Sequence, residues 1–406
     1  MSKNINIPKL RFKEFSGEWE EKRIENVFTI LSGFSFLSLD ASKSGVKLVK
    51  ITDIGIQEMK KDNISFLPKS FLSKYDKFTL HTNDIVLALT RPILNKKLKI
   101  SKIDEFFNNS LLNQRTGKII TKESLNYIYY LLQNEKLIDK INLSIMGSEP
   151  PNLSINQIKS LRASLPTKQE QEKIASFLTF VDTKIEQLTK KETLLKEYKK
   201  GVMQKIFNQE IRFKDDDYKL RTGNLIDFGS FYYGKGAPKT SVTKDAKTPC
   251  VRYGELYSTY KESIKEIKSY TNVNPNDLKL SKGGEVLVPR VGENPLDFAN
   301  CSYLPFENVA IGEMISVYNT EENGLYITYY INAMLKKQLA RFVEGGNVSN
   351  LYFRYVEKIE ITIPSYKEQT KIVDFLSSID SKIEQIQKQL EQTKKFKKAL
   401  LQKMFV

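Results

Sequence analysis

The sequence predicts a duplicated protein in which two globular modules of mixed α/β (α+β) class alternate with two long helices. The helices are expected to pair as an antiparallel coiled coil with pseudo-twofold symmetry. Three observations carry this expectation. Residues 165–207, LPTKQEQEKIASFLTFVDTKIEQLTKKETLLKEYKKGVMQKIF, recur at residues 363–405 as IPSYKEQTKIVDFLSSIDSKIEQIQKQLEQTKKFKKALLQKMF, offset by 198 without a gap and identical at 19 of 43 positions. Apolar residues in both copies follow 3-4 spacing, the signature of a helix with one buried stripe. Outside the copies, short β-rich runs alternate with turn clusters, as in a mixed fold.

Taken in order, the chain reads as a first module at 1–164, a helix at 165–207, a second module at 208–362 and a helix at 363–406. Each helix opens after a proline with a Ser/Thr-x-x-Glu capping box, Thr167 with Glu170 and Ser365 with Glu368. The stripes expected at the helix-pair interface are Ile174, Leu178, Val181, Ile185 and Leu188 in the first copy and Ile372, Leu376, Ile379, Ile383 and Ile386 in the second. At about 1.5 Å rise per residue each helix would span roughly 60 Å. A stripe that long outruns its own module, and the simplest partner is the other helix. Within the modules, strands are expected at 46–51, 84–90, 285–289 and 359–363, and helices at 125–142 and 325–342. Fainter correspondences, LRFKEF at Leu10 with IRFKDD at Ile211 and DIVLALTR at Asp84 with EVLVPR at Glu285, extend the duplication into the modules.

The net charge of +16 points to a polyanionic partner, nucleic acid first. It is unevenly spread: residues 1–164 carry 26 basic and 17 acidic groups, whereas residues 208–362 carry 20 of each. The second module must therefore meet DNA through a local patch. Two cysteines, Cys250 and Cys301, and the single His81 are too few for a zinc cage or a disulfide framework, and no metal site is expected. The polar start without a signal-peptide core, and the lack of a long apolar run, are read as a cytoplasmic protein with no membrane partner.

No catalytic residue is assigned. GSFYYGKG at 229–236 imitates G-x4-G-K, but Gly236 stands where a magnesium-binding Ser or Thr belongs, and the segment reads better as a glycine loop presenting Lys235 to a phosphate. Glu-x-Lys triplets are expected by chance in so charged a chain. EPPN at Glu149 lacks the aromatic residue of an adenine-methyltransferase loop, and one histidine leaves no nucleophile-base pair. DNA contacts are instead assigned to the rare arginines and to two polar turns. Arg91 and Arg290 follow matching β-runs beside prolines, and a guanidinium can be bidentate to guanine. Arg115, Arg252, Arg341 and Arg354 are weaker candidates. The turns GSEPPNL and GGNVSNL place Ser148, Asn152, Asn347 and Asn350 for amide or hydroxyl readout.

Two diverged modules alternating with two near-identical helices resemble the specificity (S) subunit of a type I restriction-modification enzyme. The repeated residues Pro166, Glu170, Gln171, Ile174, Leu178, Asp182, Lys184 and Ile185, with Pro364, Glu368, Gln369, Ile372, Leu376, Asp380, Lys382 and Ile383, carry the resemblance over the whole chain. It implies a noncatalytic subunit whose two target-recognition domains read the halves of a split, asymmetric double-stranded DNA target. It also implies two methylation subunits and two restriction subunits as partners, with S-adenosylmethionine, ATP and magnesium held by those partners and no cofactor in this chain. The alternatives are a nuclease or methyltransferase with a degenerate site and a stand-alone DNA-binding repressor.

Overall fold

In the computed structural model, which describes residues 6–147, 149–213, 219–243 and 245–406, the repeated segments form helices over Lys168–Phe207 and Tyr366–Lys403. Their starts follow the sequence. Thr167 Oγ1 accepts from the Glu170 amide at 3.4 Å and Ser365 Oγ from the Glu368 amide at 3.3 Å. The glutamates do more than complete a box. Glu170 takes a two-pronged grip from Arg11 (Nε 2.8 Å, Nη2 2.7 Å), and Glu368 takes the same from Arg212 (2.8 and 2.7 Å). Both carboxylates are buried, so each needs this charge-assisted pairing. The matching strings at Leu10 and Ile211 are thus clamps on the helix starts.

The chain divides into two compact units. One comprises the residues up to Thr189 together with Lys388–Val406, and the other Lys190–Gln387. Each therefore holds the opening part of one long helix and the closing part of the other.

In the first unit, a four-stranded antiparallel sheet runs in the order Phe28–Ser32, Thr116–Thr121, Ile85–Ala88, Ile100–Lys102. All four residues of Ile85–Ala88 are buried, as befits a central strand covered on both faces. A second sheet, Ser65–Leu67, Val46–Val49, Ser110–Leu112, Thr79–Leu80, contains one parallel pair, Val46–Val49 with Ser110–Leu112. Glu20–Arg23 pairs with Arg162–Leu165 just before the long helix. The helix expected over 125–142 is two, Leu125–Leu131 and Glu135–Ile145, because Asn134 breaks it and caps the second with its side chain.

The second unit repeats this plan: Gly229–Tyr233, Ile315–Thr320, Glu285–Pro289, Ser302–Leu304 in one sheet, and Ser269–Thr271, Thr248–Val251, Glu307–Ile311, Leu280–Lys282 in the other, again with one parallel pair. Arg221–Asn224 closes against Glu360–Ile363. The helix expected over 325–342 runs from Gly324 to Arg341, but with a π-helical segment at Ile331–Leu335.

The helical stripes are covered within each unit. Ile174, Leu178 and Val181 share the first core with Leu400, Met404 and Phe405 from the closing part of the second helix, and with Tyr127 and Ile128 of the module. Ile372, Leu376, Ile379 and Ile383 do the same with Met203, Ile206 and Phe207, and with Tyr326 and Ile327. Each stripe thus packs on helix and module together. Ile185 is half-buried, and Leu188 and Ile386 are buried. In the second unit Glu192 meets Gln387 and Lys199 meets Asp380, so seven residues up one helix correspond to seven down the other, an antiparallel pairing at heptad spacing.

Candidate nucleic-acid interface

In the first unit the strand Ile85–Ala88 runs out into Leu89, Thr90 and Arg91, and two loops are tied to this extension. The Leu89 amide donates to the Arg115 carbonyl at 2.9 Å, and the Leu89 carbonyl accepts from the Leu153 amide at 2.7 Å. Thr90 Oγ1 donates to Asn152 Oδ1 at 2.7 Å, and the Arg91 amide donates to the Pro151 carbonyl at 2.8 Å. The fold thereby brings Arg91, Arg115 and Asn152 together. Ser148, expected beside them, lies outside the described residues. Arg91 has φ of 48°, an uncommon conformation for a side chain of its size, held by the bonds around it. Arg91 and Arg115 are exposed and make no salt bridge among the described residues. Beside Arg91 opens a groove of about 680 Å³ whose lining includes Lys60, Lys99 and Asn142. Burial, followed by the charge of Lys60, pushes the Lys99 ammonium below its usual range, the situation an incoming anion would relieve.

The second unit builds its patch around the turn at 312–314. The Met314 carbonyl accepts from the Arg290 amide at 3.1 Å, the Gly312 amide donates to the Val251 carbonyl at 2.9 Å, and the Glu313 amide reaches the Gly236 carbonyl at 3.3 Å. Lys235, Arg252 and Arg290 are thereby gathered round one turn. The Arg290 carbonyl accepts from the Leu351 amide at 2.9 Å, and Asn350 pairs with Val291, which brings in the polar loop. Asn347 is exposed in the turn between Glu344–Gly345 and Ser349–Asn350.

Here the structure adds what residue counting missed. The Arg290 guanidinium lies 4.4 Å from the ring centroid of Tyr233 and 5.7 Å from that of Tyr352. Arg354 lies 5.1 Å from Tyr352 and 4.8 Å from Tyr355, which stacks on Phe342. Arginine and aromatic rings thus alternate in a ladder: Tyr233, Arg290, Tyr352, Arg354, Tyr355. Cation-π stacking occupies the guanidinium faces and leaves edge N–H groups for hydrogen bonding. The buried Nε atoms of Arg290 and Arg252 have no partner among the described residues. The alternation of aromatic residues and arginine in LYFRY at 351–355 is the signal in the sequence that points to part of this ladder. Arg341, the other weak candidate, is exposed at the end of Lys336–Arg341 and stands outside this ladder.

The supposed phosphate loop is different in kind. Gly229–Tyr233 is a strand paired with Ile315–Thr320, and only the turn after it is a loop. Gly234 is required there, because a Cβ would sit 2.2 Å from the Gly312 carbonyl oxygen; Lys235 is exposed beyond it. Burial raises the Cys250 thiol to about 11 and Cys301 higher still, which leaves both protonated at neutral pH. Among the described residues no group of His, Cys, Asp and Glu is placed to hold a metal ion, and no helix is long and apolar enough to cross a membrane.

Each copy of the duplicated unit thus carries an arginine-bearing strand end beside a polar loop, the arrangement of a two-module protein joined by paired helices. The chain belongs to the family described as Type I restriction modification DNA specificity domain, whose profile it matches over residues 16–197 and again over 221–395. By family it is a specificity subunit, the noncatalytic class of the type I systems. The type I restriction enzyme MjaVIII specificity subunit of Methanocaldococcus jannaschii is 30% identical over 52% of this chain; the match spans 50% of that relative's length. The putative type I restriction enzyme MjaX specificity subunit of the same organism is 23% identical over 98% of this chain and 95% of its own length. A solved type I restriction-modification S subunit from M. genitalium has the same fold, with a TM-score of 0.63 at 16% identity, covering 98% of this chain and 99% of the other.

Proposed function

We propose that each unit reads one half of a split, asymmetric DNA target, and that the long helices space the units and dock two methylation subunits. Two restriction subunits complete the assembly, in the cytoplasm of a prokaryote. In this reading S-adenosylmethionine, ATP and magnesium are held by those partners, and this chain contributes recognition alone. The observation that carries the reading is the ladder Tyr233–Arg290–Tyr352–Arg354–Tyr355. It gathers two guanidiniums, stacked on aromatic rings, on one side of a module with no net charge, the kind of local patch that base or phosphate contact needs there. Arg91, Arg115 and Asn152 serve the other half-site.

The test is to sequence methylated adenines in a host carrying the complete system, with the wild-type chain and with Arg290→Ala and Arg91→Ala. The expected result is a bipartite motif relaxed on one side by the first substitution and on the other by the second. An intact motif in both variants would remove these arginines from recognition. Methylation by the purified chain mixed only with S-adenosylmethionine and DNA would overturn the noncatalytic role.

A further inference from the structure

The first unit carries a second concave surface, which shares Ile56 and the hairpin after Arg91 with the first but is not lined by Arg91. A groove of about 620 Å³ opens between the hairpin Ile93–Leu94/Lys97–Leu98, the helix Glu135–Ile145 and the closing part of the second long helix. Its lining includes six lysines, Lys96, Lys97, Lys394, Lys395, Lys397 and Lys398, against three carboxylates, Glu135, Asp182 and Glu391. Lys397 is spent on Asp182 at 2.6 Å, Lys398 on Glu135 at 3.1 Å and Lys395 on Glu391 at 2.7 Å. Lys96, Lys97 and Lys394 make no salt bridge among the described residues, and all three are exposed. The floor is apolar: Ile56, Leu98, Ile138 and Leu401. The hairpin that presents the lysines turns through Asn95 at φ 49° and Lys96 at φ 59°, a tight turn whose second residue is ordinarily glycine. A lysine held there is costly to the fold, which points to use.

Among the described residues the second unit differs at the matching place. The matching recess beside Asp380 and Ile383 is about 210 Å³; Lys261 and Lys265 both lean on Glu384, and Glu262 and Asp380 add two more carboxylates. Charges there are internally compensated, and in place of the hairpin the chain runs as Val291–Gly292, paired with Ser349–Asn350.

We infer that the first-unit groove receives an acidic, amphipathic segment of a protein partner, one per chain. The apolar floor rewards hydrophobic side chains, and the three surplus lysines fit carboxylates around them. A phosphodiester backbone has nothing to place on the apolar floor. The inference stands apart from the DNA-reading role, since none of the recognition residues lines this groove.

The experiment uses the full chain and a dye-labelled helical peptide with leucine at i, i+3, i+4 and i+7 and glutamate elsewhere, followed by fluorescence anisotropy. Saturation at one peptide per chain is expected, weakened about tenfold or more in the triple variant K96E/K97E/K394E and by added salt. The control K13E/K43E/K69E changes the net charge equally at exposed positions outside the groove and should leave affinity within about twofold. Equal loss in both variants would mean a bulk field and no site, and absence of binding to the wild-type chain would end the proposal. If a random-sequence duplex displaced the peptide from wild type, and bound less well to the groove variant alone, the surface would be a phosphate site and the proposal wrong. Because the groove variant keeps Arg91 and Arg290, its methylated motif should be unchanged, which separates this outcome from failure of the recognition role.

Discussion

The two units handle the same buried lysine differently. In the second, Lys199 lies between two carboxylates, Asp380 Oδ1 at 2.6 Å and Glu262 Oε1 at 2.7 Å. In the first, its repeat partner Lys397 has Asp182 Oδ1 at 2.6 Å but an amide, Gln57 Oε1 at 2.7 Å, in the other place. The helix side of each joint is unchanged, and each module also keeps a tyrosine that donates to the helix aspartate, Tyr130 to Asp182 and Tyr329 to Asp380, while the second carboxylate or amide has diverged. Only the module side has diverged. One lysine is therefore over-compensated by two carboxylates and the other matched one for one, so the second joint carries a surplus negative charge that the first, beside the groove, lacks. Duplication has preserved the pairing between helices while each module was free to alter the charge it brings.

The comparison can first be broken at its root. Residues 1–207 contain a module whose core lacks Leu400, Met404 and Phe405, but they also contain the repeat equivalents Val202, Ile206 and Phe207. Two copies of this fragment should exchange those segments and sediment as a dimer, reading an inverted repeat of one half-site when methylation subunits are supplied. A folded monomer would show that the closing helical segments are not interchangeable.

Next in size are the lysines. Lys199→Met orphans two largely buried carboxylates and should cost about 3 kcal/mol in denaturant unfolding, whereas Lys397→Met, which orphans one, should cost roughly half as much. Equal losses would mean that the module-side partner contributes nothing.

On the recognition faces, Arg290→Ala and Arg91→Ala should each weaken binding to the correct half-site by about 1–3 kcal/mol in isotherms against half-site variants. Tyr352→Leu, which leaves both guanidiniums in place but takes a stacking ring from between them, should cost less, about 1 kcal/mol, on the second half-site only. Uniform loss against every sequence would assign the arginine to a phosphate.

The smallest effect concerns pH. Burial pushes the Glu262 carboxyl up, but the charge and hydrogen bond of Lys199 outweigh it and hold the group below its ordinary 4.5. Its folded value is thus lower than its unfolded value, so its stabilisation is complete above about pH 4.5 and fades as the pH falls through the folded value. Glu262→Gln should lower stability by about 1 kcal/mol at neutral pH and flatten that acid-side decline, while Gln57→Glu should give the first unit a decline of the same sign. Parallel unfolding curves for wild type and Glu262→Gln from pH 6 down to about 3 would refute the assignment.

What was legible in the sequence was whatever repeats with a period. The helices, their proline-marked starts and the stripes at Ile174 and Ile372 follow from 3-4 spacing and the 198-residue offset. Breaks set by a single side chain were not: Asn134 inside an apolar run reads as a tolerated polar residue until its carbonyl is seen capping Lys136 and Leu137. The arginines at Arg91 and Arg290 could be singled out by rarity, but not the rings that hold Arg290, because tyrosines from 233 and 352 meet only after the sheet has formed. Glu262, Gln57 and the groove lysines depend on contacts between segments distant in sequence, 63 residues for Glu262 with Lys199 and 340 for Gln57 with Lys397, for which no local pattern exists.

Because the first unit is completed by Leu400, Met404 and Phe405, the order of synthesis runs against the order of completion. The module that leaves the ribosome first waits with part of its core uncovered until nearly the whole chain has been made, whereas the second unit has all its parts once residue 387 has emerged. A message cut short anywhere before those residues yields a first module that cannot be sealed by its own chain. A half-finished chain standing alone leaves part of its first core open to water, and it can close that gap only by borrowing the equivalent segment of a second copy.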